Sequence, residues 1–130
     1  MNWAKITSHA AALLIVQVAI GFIEASFTPK QANGHTYLLL GSALASFVMC
    51  GAIFAHLAAR QPSRPFSHAW LTLILQAVVA SLIVQALADW SGNTPLLLVA
   101  LEWLVLMCAL LAGTAIGSQL RRRAGQPADA

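Results

Sequence analysis

A few polar residues fall at helical spacing inside long apolar runs, and their types suit redox or proton chemistry. His9, Gln17 and Glu24 stand in the first run. At about 100° per residue, Gln17 lies about 80° and Glu24 about 60° around from His9, so the three share one helix face. His68, Thr72 and Gln76 stand in a later run. Thr72 lies about 40° and Gln76 about 80° around from His68, again one face. Polar and ionisable groups inside a membrane are costly and point by default to function. Two imidazoles at one level on opposing helices supply the two axial nitrogens that a flat iron macrocycle accepts from either side. His56 lies near the same level and would act as a substitute or neighbouring partner. Glu102 is a lone carboxylate inside the last apolar run, and with Gln17 and Gln76 it would make a proton or substrate site instead.

These residues need a scaffold, and the composition says which kind. Hydrophobic residues make up 59% of the 130-residue chain and charged residues 8%. A soluble domain is about half apolar and about a quarter charged. So few charges cannot cover a water-facing surface, and a disordered chain would be polar. The chain is therefore expected to be an integral membrane protein whose first partner is the lipid bilayer. A helix crosses the hydrocarbon in about 20 mostly apolar residues. Residues 6–27, 37–59, 69–88 and 96–117 each meet that requirement. Short breaks rich in Pro and Gly separate them and force antiparallel neighbours. The expected fold is all-α, a four-helix up-down bundle in one membrane domain. The short alternating strands of a membrane barrel are absent.

Charge sets the expected orientation. Lys5, Arg60, Arg64, Arg121, Arg122 and Arg123 fall on one side of the four crossings, and Lys30 falls on the other. Cytoplasmic ends carry the Lys/Arg excess, so both termini are expected in the cytoplasm of a bacterial inner (plasma) membrane. The first run is too long for a signal-peptide core and no A-x-A site follows it, which reads as a retained span. The Arg121–Arg123 run reads as an orientation anchor, and no nucleic-acid partner is expected.

The chain also reads as two copies of a helix hairpin, with units of about 7–59 and 66–117. Ser8-His9-Ala10 recurs as Ser67-His68-Ala69, Leu14-Ile15 as Leu73-Ile74, and Gln17 as Gln76, at a shift of 59 residues. At a shift of 58, Gly34 and Thr36 match Gly92 and Thr94, and Met49-Cys50 matches Met107-Cys108. Two such units run in the same direction, related by a pseudo-twofold axis along the membrane normal. That symmetry would put helices 1 and 3 on a diagonal, with His9 and His68 level. Neighbouring helices lie about 8–10 Å apart, so a diagonal leaves room for a macrocycle. Lys5, Arg60 and Arg64 would meet its propionates.

With His9 ahead of an apolar run, His35 followed by Gly41 in the second span, and His68 opening the third, the chain resembles the small four-helix bacterial b-type cytochromes. It is similar in plan to the half-size relatives of haem A synthase. The resemblance implies haem b held by His9 and His68, one-electron transfer, and a link to quinone. Asn93 and Thr114 stand where a second repeat would carry counterparts of His35 and His56, so the layout implies one haem, not two.

Other readings stand beside this one. Ser-His at the start of a span also serves as a cap and interfacial anchor. A transition metal would draw on His9, His56 and His68 together. Glu102 suits a small proton-coupled transporter or channel working as an oligomer, or a structural hydrogen bond to a neighbouring helix. Ala109, Gly113 and Gly117 share its face as a small-residue surface for another helix, which fits a homo-oligomer or an accessory subunit of a larger complex. Cys50 and Cys108 read as buried small hydrophobes. No phosphate-binding loop or catalytic triad arrangement is present.

Overall fold

A computed structural model describes residues 3–27, 32–60, 64–91 and 96–125, with side chains described except at 32–33 and 88–91. It contains four α-helices: α1 (Trp3–Ser26), α2 (Ala32–Arg60), α3 (Pro65–Ser91) and α4 (Leu96–Gly125). Each is long and apolar enough to cross a membrane. The chain is a multi-pass membrane protein with a helical bundle fold. Large apolar side chains stay exposed along all four helices, among them Ile15, Leu44, Leu82 and Leu111, because lipid is their solvent.

The helices overrun the apolar spans at most ends. Bilayer thickness limits the apolar stretch, not the backbone hydrogen bonding, so α4 continues through Arg121–Arg123 to Gly125. Pro65 opens α3 at a position where a missing N–H costs nothing. Arg64 before it adopts a left-handed φ of 50°, a conformation that costs a non-glycine residue roughly 1–2 kcal/mol and turns the chain into α3. The Asn93 counterpart of His35 lies outside the described residues.

The closest packing joins α2 to α4. These helices run parallel, with Gly113 against Gly51 and Gly117 against Ala55. A methyl added to Gly113 would lie against the Gly51 carbonyl oxygen and 3.0 Å from Cβ of Phe54. One added to Gly117 would lie against the Ala55 carbonyl oxygen and 2.9 Å from its Cα. Arg121 Nη1 donates to the Ala58 carbonyl at 3.4 Å and ties the ends of the two helices together.

This contact corrects two expectations. Ala109, Gly113 and Gly117 are buried inside the chain; their small-residue surface is used by α2 and is not offered to another subunit. Second, α1 and α3 pack as neighbours, while α1 and α4 backbones nowhere approach within 8 Å among the described residues. Helices 1 and 3 are therefore not the diagonal pair. Drawing the parallel α2 and α4 together leaves α1 and α3 to close around them.

The bundle is packed at one end and parted at the other. Ile6, Ala10 and Leu13 of α1, Phe54 and Leu57 of α2, Ala69 and Leu73 of α3, and Leu110 and Gly113 of α4 are all buried. They lie in the half that holds the start of α1 and the end of α4. In the other half, Ser81 to Leu87 of α3 are exposed at every position.

Gly113→Ala and Gly117→Ala should each lower stability by about 1–3 kcal/mol, because the added methyl meets backbone that cannot rotate away. Gly51→Ala, whose added Cβ meets only the Ala109 carbonyl at 3.8 Å, should be tolerated. Thermal unfolding in detergent, followed by circular dichroism, measures the difference.

Candidate functional site

The polar residues separate into two groups at different levels. At the packed end, His9 Nδ1 donates to the Lys5 carbonyl at 2.7 Å and His68 Nδ1 donates to the Arg64 carbonyl at 3.1 Å. Both bonds run back one helical turn. They place the neutral ring's proton on Nδ1 and leave Nε2 as the free nitrogen. His9 is half-buried and His68 is buried. The ring contact is between His9 and His56, with centroids 6.0 Å apart and planes at 25°. No such contact joins His9 to His68 among the described residues.

The helices that would hold a haem between His9 and His68 pack against each other. Leu13 of α1, about one turn from His9, and Leu73 of α3, about one turn from His68, belong to one buried core cluster with Ala69. No three His, Cys, Asp or Glu side chains converge as a metal site among the described residues; His56 pairs with His9, and His68 stands apart. His35 is exposed at the far end of α2.

The second group lies in the parted half. Gln17, Glu24, Ser42, Ser46 and Glu102 line one cavity of about 250 Å³ between α1, α2 and α4. It sits where α1 and α4 fail to meet. Among the described residues none of α3 lines it, so the described part of α3 does not close that side. Gln17 Nε2 donates to Cys50 Sγ at 3.7 Å, and Ser42 Oγ donates to the Leu39 carbonyl at 3.0 Å. Glu24 and Glu102 lie within electrostatic reach of each other. Neither carboxylate has a hydrogen-bond or ion-pair partner among the described residues, and Ser46 has none although it is only 7% exposed.

The sequence pattern picked out Glu102 and Gln17 but not their meeting with Ser42 and Ser46. Serines one helical turn apart in a membrane helix commonly bond their own backbone, so nothing in the sequence sets Ser46 aside. Gln76 was expected beside them, but it is not among the residues lining the cavity. It is 4% exposed, away from the cavity, and its Oε1 lacks a partner, as does Thr114 Oγ1 on α4. The repeat-equivalent residues therefore occupy unlike surroundings: Cys50 is buried and takes the Gln17 bond, while Cys108 is exposed.

Thr114→Val removes an orphaned hydroxyl while keeping the shape. It should leave stability within about 1 kcal/mol of the parent or raise it. A clear loss in denaturant or thermal unfolding would assign that hydroxyl a partner.

Compared with known proteins, the chain matches no family model, no curated protein and no solved structure.

Proposed function

We propose that the chain is a small proton-coupled transporter of the bacterial inner membrane, with both termini cytoplasmic and Glu102 as its charge-bearing residue. One observation supports this reading above the others: both glutamates, Gln17 and two serines line a single cavity in the parted half of the bundle, while the other half is packed. An unpaired carboxylate at such depth is costly without water or a bound cation, and the open half supplies access to both. The packed half blocks onward passage. A transport cycle would part that half while the cavity closes, which is alternating access and not an open pore.

In liposomes carrying an internal pH dye, the purified protein should relax an imposed pH gradient. Glu102→Gln should slow that flux about tenfold or more, equivalent to roughly 1.4 kcal/mol of barrier. Unchanged flux in that variant would remove Glu102 from the role.

A second reading, a one-electron carrier with haem b on His9 and His68 and a quinone partner, is favoured by the Nδ1 bonds that leave both Nε2 atoms available. Orienting bonds of this kind accompany metal-ligating histidines. This reading requires Leu13 and Leu73 to move apart. It predicts a Soret band on purification that is lost in His9→Ala and His68→Ala; a colourless protein expressed with excess haem would end it.

A further inference from the structure

Building on the transporter reading, we propose that the cavity binds a protonated alkylamine, an ammonium group with N–H donors on a short hydrocarbon tail. The polar wall of the cavity offers acceptors. Gln17 donates one of its two amide N–H groups to Cys50 Sγ and keeps Oε1 as an acceptor. The Ser42 hydroxyl gives its proton to the Leu39 carbonyl and keeps its lone pairs. Glu24 and Glu102 present carboxylate oxygens.

Ser46 is the independent pointer to a ligand. It is more than nine-tenths buried, lines the cavity, and has no partner among the described residues. Its hydroxyl keeps access to the cavity, where a bound donor would meet it.

The rest of the lining narrows the class. Among the described residues it contains no Lys, Arg or His, so none of them sets a like charge against the ligand's positive charge. Phe, Tyr and Trp are absent from the described lining as well. Quaternary ammonium groups carry no N–H and are held by aromatic faces, so this cavity suits them poorly. The remaining wall is aliphatic, including Ile20, Leu98, Leu101 and Val105. A bare metal ion would leave that wall in contact with water, whereas a hydrocarbon tail would cover it.

Size and access agree with a small amine. At about 30 Å³ per water, the 250 Å³ cavity holds on the order of eight water-sized groups. The open side between α1 and α4 admits an amphiphile sideways from the bilayer, tail and headgroup together. The ammonium and a single proton would neutralise the two carboxylates between them.

The test is calorimetric titration of the full-length chain in lipid nanodiscs with hexylammonium and with hexyltrimethylammonium, at one pH and salt. Hexylammonium should bind about tenfold tighter than its quaternary analogue. Glu102→Gln and Ser46→Ala should each weaken hexylammonium and narrow that preference. Glu24→Gln, near the outer end of α1, gives a second carboxylate test if Glu102→Gln fails to keep its helical circular dichroism. Equal binding of the two ligands, no binding of hexylammonium, or binding indifferent to all three substitutions would each overturn the proposal. Proton flux that depends on Glu102 without alkylammonium binding would overturn the ligand and leave the transporter. Alkylammonium binding without flux would support the ligand and remove the transport role.

Discussion

The approach of α2 to α4 through Gly113 and Gly117 constrains everything else in this bundle. Lipid tails are as apolar as leucine, so burial of apolar surface does not drive membrane helices together; close backbone packing does. The two glycines set α4 directly on the backbone of α2 at Gly51 and Ala55. No larger residue fits there without moving main chain. With this parallel pair fixed, α1 and α3 settle alongside, and Leu13, Phe54, Leu73 and Leu110 complete one core cluster.

That contact lies in one half of the membrane, and its position explains the other half. Glu102 stands eleven residues before Gly113 on α4, about 16 Å along the helix axis. There the helices are no longer held by small residues, α1 and α4 stay apart, and α3 turns its whole surface outward. A carboxylate without a partner cannot sit in the dry, packed half at reasonable cost. In the parted half, Glu102 and Glu24 line one cavity. Ser46 and Gln17 lie between the two regimes, one turn or less from the buried Cys50. The bundle is thus closed where it is apolar and open where it is acidic.

The histidines show how the same tertiary choice redirects residues that look alike in sequence. His9 and His68 share a local environment, each bonded to the carbonyl one turn earlier. That bond follows from the shared Ser-His-Ala context and the helix geometry alone. Their long-range surroundings differ: His9 stacks on His56, while His68 is buried on α3. Similar sequence in the two halves produced similar turns and unlike neighbours.

The chain's own residues determined that it crosses a membrane four times as helices, because apolar length and Pro/Gly breaks act locally and bilayer thickness does the rest. They also marked Glu102 and Gln17 as exceptional, since their cost in hydrocarbon depends on residue type. Which helices touch was decided by tertiary structure. The repeat suggested a symmetric diagonal for α1 and α3, but a glycine contact a few ångströms deep outweighs that symmetry. The same holds for Ser42 and Ser46, ordinary residues on α2 until the separation of α1 from α4 gave them a cavity to face. Periodicity reports which side of a helix is polar; only packing decides what stands opposite it.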